Sequence, residues 1–136
     1  MYAGYEYYST EYKGTLDEDA YLKVIRKADR VLDKLTHNRL LYAFPVDVND
    51  IDNVYQCECQ LVDYEYNVEQ AIKAQATGNV VKSVSSGSES VTYDTNIYAE
   101  SAKNEGSHMQ GALNICRIWL GGVPDAKGTN LLYAGI

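Results

Sequence analysis

From Asn49 or Asp50 to about Ala76 apolar side chains recur at helical spacing without interruption, and this stretch limits the possible folds more than any other. As a helix its ~26 residues would span about 39 Å, long for so small a chain. At about 100° per residue, Ile51, Val54, Tyr55, Cys57, Leu61, Val62, Tyr66, Val68 and Ile72 cover half the circumference, wider than one partner helix would need. The pattern predicts a central helix, with Gly78-Asn79 as its stop.

Two more segments keep the same period. Thr15 followed by Glu18 reads as a capping box, and Asp17, Glu18 and Asp19 suit the positive end of a helix dipole. Beyond them Tyr21, Val24, Ile25, Ala28, Val31, Leu32 and Leu35 form a narrow stripe that runs to about Thr36. Met109, Ala112, Leu113, Cys116, Trp119 and Leu120 form the other, closed by Gly121-Gly122 and Pro124. A short helix is expected between Gly4 and Gly14, with Tyr5, Tyr8 and Tyr12 on one side and Gly14 ending it. The apolar run from Leu40 to Phe44, ahead of Pro45, reads as a connection that packs.

Between the second and third long helices the pattern changes. Residues 80–85 and 90–93 are β-branched and Ser-rich with partial alternation about Ser86-Gly87-Ser88-Glu89, which predicts a β-hairpin over about residues 80–93. Residues 94–107 are polar and read as a linker or a frayed helix start. The chain closes as an apolar tail over about residues 129–136, with no charge in its last six residues, and such a tail wants a docking surface. The expected fold is therefore mainly α: a single domain over residues 1–136, a small helical bundle of three main helices with a β-hairpin insertion and an extended apolar C-terminal tail.

Composition narrows the function. With 136 residues, 46% hydrophobic and 23% charged, the chain can bury one core, and no apolar run approaches the ~18 residues of a membrane span. The Tyr-rich, acidic amino terminus lacks the pattern of a signal peptide, so the chain is expected to stay in the cell that makes it. A net charge of -7 disfavours tight binding of duplex DNA. Cys57, Cys59 and Cys116 are an odd number and read as reduced thiols. Thirteen Tyr against one Phe and one Trp point to much half-buried or contact-forming surface.

Catalytic and metal signatures are sparse in the sequence. Cys57 and Cys59 lie about 200° apart on a helix and cannot share an ion. His37 and His108 have no companion at ligand spacing. Glu58, Glu65 and Glu69 fall inside the wide apolar sector, where an acidic seam paired with Lys or Arg from elsewhere is the expected arrangement. Neither a Gly-x-Ser-x-Gly, a phosphate-cradling loop nor a His-Glu-x-x-His occurs, so no enzymatic activity and no cofactor is expected. The polar face of the first long helix carries Lys23, Arg26, Lys27, Arg30 and Lys34, five of the twelve basic residues. Like charges at i, i+4 repel mildly, which invites either water or the acidic surface of a neighbouring copy. Ile118, opposite its helix's apolar stripe, is a second candidate contact.

Taken in order, Tyr7-Tyr8, Tyr12-Lys13-Gly14, the helix ending Leu32-Asp33-Lys34-Leu35-Thr36 with Arg39 after it, the hairpin at residues 83–93, Trp119-Leu120 and the ending Leu131-Leu132-Tyr133-Ala134-Gly135 resemble the head-to-tail connector (adaptor) proteins of long-tailed phages and prophages. The likeness runs over nearly the whole chain and rests on order and spacing. Ala134 departs from it, where that ending would carry a basic residue. The resemblance implies a structural virion protein that forms a ring of about twelve copies below the portal protein. The ring would extend the DNA channel and receive a head-closure or tail-completion protein. DNA would then meet it only as non-specific cargo, and it would lie at the head-tail junction after assembly in the host cytoplasm.

On that resemblance Leu131, Leu132, Tyr133 and Ile136 are expected to dock on the portal or a neighbour. Ser83, Val84, Ser85, Gly87, Val91 and Tyr93 are expected to face another subunit or partner, and Lys23, Arg26, Lys27, Arg30, Lys34, Glu58, Glu65 and Glu69 are the charged candidates for the ring interface. A small intracellular helical binding module or regulator, using the wide face of the second long helix, is the alternative. A metal- or thiol-dependent enzyme would have only Glu58, Glu65, Glu69 and the cysteines to draw on.

Overall fold

The computed structural model describes residues 1–76, 102 and 104–133, and the regular elements within them are five helices. They are α1 (Tyr5–Thr10), α2 (Glu18–Leu35), α3 (Arg39–Tyr42), α4 (Val48–Ala76) and α5 (Glu105–Leu120). The 29 residues of α4 span about 43 Å. Val54, Cys57, Cys59, Leu61, Val62, Tyr64, Val68 and Ala71 are all buried along it, an arc that one neighbour cannot cover. Both α2 and α5 pack on α4 and also touch each other, which makes α4 the centre of a three-helix core, as its periodicity predicts. No described helix is long and apolar enough to cross a membrane.

Helix α2 buries the expected stripe of Tyr21, Val24, Ile25, Ala28, Val31 and Leu32, but its cap is Asp17 and not Thr15. Asp17 Oδ1 accepts from the Ala20 amide at 2.8 Å. The capping box fails because Leu16 is already tied to the tyrosines of the first segment. Its amide donates to the Tyr8 hydroxyl at 3.1 Å, and its carbonyl accepts from the Tyr5 hydroxyl at 3.1 Å. At the other end Thr36 closes α2, and His37 and Asn38 turn the chain through left-handed conformations (φ 55° and 60°). Asp47 sets the start of α4, accepting from the Asn49 amide at 2.9 Å, one residue or more before the predicted start. Similarly, Asn104 caps α5 through the Ser107 amide at 2.8 Å, so the helix begins within the stretch read as polar linker.

The first helix is shorter than expected and Gly14 is not its stop. Left-handed geometry falls to Lys13 (φ 62°). Gly14 serves a close approach instead: a Cβ there would lie 2.0 Å from Cζ of Tyr8, a ring that is itself fully buried. Tyr8 sits at the middle of a ring cluster, with centroids 4.8 Å from Tyr21, 5.5 Å from Tyr12 and 5.9 Å from Tyr5.

The connection from α2 to α4 packs only in part. Leu40, Ala43 and Pro45 are buried, but Leu41 and Tyr42 on α3 face outward. Past α5 the chain reverses around Asp125, whose Oδ1 accepts from the amides of Lys127 (2.8 Å) and Thr129 (2.9 Å). That reversal returns Leu131 to the core, its amide bonded to the Val123 carbonyl at 3.0 Å. The predicted hairpin at residues 80–93 and the last three residues of the tail lie outside the described residues.

Gly14→Ala is expected to cost roughly 1–3 kcal/mol, because the Tyr8 ring is packed on all sides and has nowhere to move. A lower urea midpoint with unchanged m-value checks this.

Candidate interaction surfaces

The five cations predicted on one face of α2 are all exposed, and among the described residues only Lys27 has an ion pair, with Nζ 3.5 Å from Glu65 Oε1. Below Lys27, Arg30 and Lys34 lies a cleft of about 380 Å³ between α2, α4 and α5. Val31, Val68, Ile72 and Met109 line it with apolar surface, and Asn104, Glu105 and His108 border it from α5. One wall is therefore cationic over an apolar floor, a combination suited to an acidic group carried beside apolar side chains. A second, more polar cleft brings Lys23 together with Glu69, Lys73 and Asp19.

Glu58 and Glu65 are fully buried in their own chain, which corrects their candidacy as ring-interface groups. The seam they belong to is real but is only partly answered by cations. Glu65 meets His108, with Oε2 2.6 Å from Nε2, besides Lys27. The His108 ring stacks on Tyr64 with centroids 5.8 Å apart, and the Tyr64 hydroxyl donates to the His108 carbonyl at 2.8 Å. In sequence His108 has no companion; its partner stands 43 residues away, which short-range spacing cannot report.

Glu58 has no Lys or Arg partner among the described residues. Its Oε1 accepts from the backbone amides of Tyr2 (2.9 Å) and Ala3 (2.6 Å), so the chain's first residues are strapped across α2 and α4. The amino group of Met1 lies 2.9 Å from Asp29 Oδ2, the Tyr2 hydroxyl bonds Asp33, and the Tyr21 hydroxyl donates to the Ala3 carbonyl. Burial, and then the neighbouring Asp29 carboxylate, push the Glu58 carboxyl up to about 9, so Glu58 stays protonated near neutrality.

The other tyrosine tips follow the same logic. Asp63 accepts from Tyr8 at 2.6 Å and Tyr12 at 3.0 Å, while Asp52 accepts from Tyr7. Burial raises the Asp63 carboxyl and the two hydroxyls oppose that rise. The tyrosine excess is thus used largely within the chain, to bring apolar rings and donors to carboxylates on α2 and α4.

All three cysteines are buried and free, as read from the sequence. Cys57 Sγ lies 3.9 Å from Cys116 Sγ, while burial raises the Cys59 thiol to about 12. The neighbouring sulfur and burial also raise the Cys57 thiol, so Cys57 and Cys59 stay protonated and are poor nucleophiles. Among the described residues no three His, Cys, Asp or Glu side chains are grouped to hold a metal ion.

The tail candidates divide. Leu131 is fully buried in its own chain, which corrects its reading as a docking residue, and Leu132 packs against the core. Tyr133 is 55% exposed, beneath the Arg39 guanidinium at 5.7 Å from the ring centroid. The guanidinium also donates to the carbonyls of Leu131 (3.2 Å) and Tyr133. Ile136 and the hairpin candidates Ser83, Val84, Ser85, Gly87, Val91 and Tyr93 lie outside the described residues. Ile118 is 72% exposed, on the face opposite the stripe.

Sequence patterning misses a larger apolar surface. Tyr42, Val46 and Val48 are 79%, 78% and 79% exposed, and Leu41 is 59% exposed. Its only signal was the apolar run itself, which gives no indication of which members turn outward. Comparison with protein-family models, curated proteins and solved structures gives no match.

Since the folded Glu58 carboxyl titrates at about 9 against an ordinary 4.5, it binds more protons folded than unfolded between those values. Its contribution is full below about pH 4.5 and is lost as pH rises toward about 9, at about 1 kcal/mol per pH unit. Glu58→Gln keeps an acceptor for the Tyr2 and Ala3 amides and does not titrate. It is expected to flatten that dependence, as read by urea unfolding at about pH 5, 7 and 9.

Proposed function

We propose that this chain is a head-to-tail connector of a long-tailed phage or prophage: a structural protein that rings the portal, extends the DNA channel and gives the next tail-completion protein a seat. The observation that carries the reading is a helical body with two unlike exposed surfaces, the cationic face of α2 and the apolar surface around Tyr42 and Val46. Unlike patches on one subunit are what a closed head-to-tail assembly requires. The order of sequence features shared with connector proteins supports the same reading, as does the net charge of -7, which suits a lining past which phosphates slide. On this reading Tyr133 and the residues after it reach toward the portal or a neighbour, and residues 80–93 face another subunit.

The test is assembly on the portal encoded beside this chain. Native mass spectrometry of the mixture is expected to show a ring of about twelve chains on the portal. Arg26→Glu with Arg30→Glu is expected to prevent the ring while leaving far-UV circular dichroism unchanged. A wild-type chain that never attaches to that portal, across salt and protein concentration, counts against the proposal.

A further inference from the structure

The assembly reading leaves open which surface the cations of α2 meet. The cleft beneath them has a definite chemistry. Arg30 and Lys34 have no ion pair among the described residues, and Ile72 on the floor is 45% exposed. With Arg30 and Lys34 on one wall and, among the described residues, Glu105 alone opposing them at the border, the cleft favours a group that brings apolar side chains and negative charge together. The chain itself displays such a group. Tyr42, Val46 and Val48 are exposed, and the two valines flank Asp47, an exposed carboxylate at the start of α4.

These two surfaces cannot meet within one molecule. Val48 and Ile72 stand on the same helix, 24 residues and so about 36 Å apart along it. We propose that the Val46-Asp47-Val48 segment of one copy seats in the α2–α4–α5 cleft of the next copy. Val46 and Val48 would cover Val68 and Ile72, and Asp47 would face Arg30 and Lys34. The contact joins unlike patches at well-separated positions on α4, so each copy receives one neighbour and offers itself to another. Repetition closes a ring or extends a chain according to the angle between copies. The inference rests on the assembly reading and specifies its interface.

A site-directed cross-link tests it without requiring a stable ring. Val46→Cys and Ile72→Cys are made in separate chains, with the wild type as the blank for the three buried cysteines. A short bis-maleimide is expected to link the mixture into heterodimers, well above either variant alone. Asp47→Asn in the Val46→Cys chain keeps a capping oxygen for α4 and removes the charge. It is expected to lower the yield about fivefold at low salt, as Arg30→Glu with Lys34→Glu should in the Ile72→Cys chain. Circular dichroism of each variant confirms that it is folded. A mixture no better linked than its components overturns the contact, as does a yield indifferent to both charge changes. Portal rings that form while the cross-link fails would remove this contact and leave the assembly reading. A cross-link with no portal ring would keep the contact and remove that reading.

Discussion

Carboxylates inside the buried arc of α4 organise the rest of the molecule. A helix that loses water on most of its surface must find a partner for every polar group it carries there, because an unanswered buried charge costs several kcal/mol. Glu58, Asp63 and Glu65 are three such groups, and each is answered from a different quarter. The chain's first residues supply amides to Glu58, Tyr8 and Tyr12 supply hydroxyls to Asp63, and α2 and α5 supply Lys27 and His108 to Glu65. Shifting α4 along its axis by one turn would strand all three. Apolar packing draws the helices together, and these acids select the register in which they meet.

The tyrosines are best understood from the same requirement. A phenylalanine in place of Tyr8 would fill the ring cluster equally well but leave Asp63 and the Leu16 amide each short of a partner. Tyrosine does both jobs with one side chain, and in the chain's first quarter it does so at Tyr2, Tyr7, Tyr8, Tyr12 and Tyr21. Four of these hydroxyls point at α2 or α4 and that of Tyr21, on α2, points back at Ala3, so the amino-terminal segment becomes part of the core although only six of its residues are helical.

What sequence could report here was periodicity. The stripes of α2, α4 and α5 were legible because each repeats over many residues, and so was the central place of α4, whose apolar arc is too wide for one neighbour. Caps were less so: Thr15 and Asp17 are both good candidates, and the choice depends on hydroxyls of Tyr5 and Tyr8 that hold Leu16 back. The acidic seam was visible as misplaced Glu residues, but not its partners, which lie 43 and 38 residues from Glu65 and more than 50 from Glu58. Gly14 shows the same limit, since a glycine after a short helix reads as a stop and the ring that actually requires it belongs to another contact. The outward turn of Leu41 and Tyr42 was invisible because an apolar run does not say which of its members the core has room for.

Arg39 joins two parts of the chain that are far apart in sequence. Its guanidinium grips two carbonyls of the closing segment from the short helix between α2 and α4, while Leu131 is plugged into the core just behind. Tension applied at residue 133 would therefore not peel the segment away residue by residue. It would load the Arg39 bonds together with those that tie Leu131, Leu132 and Tyr133 to Val123 and Asn130, so that a pull from outside reaches the connection between α2 and α4 and the core at once.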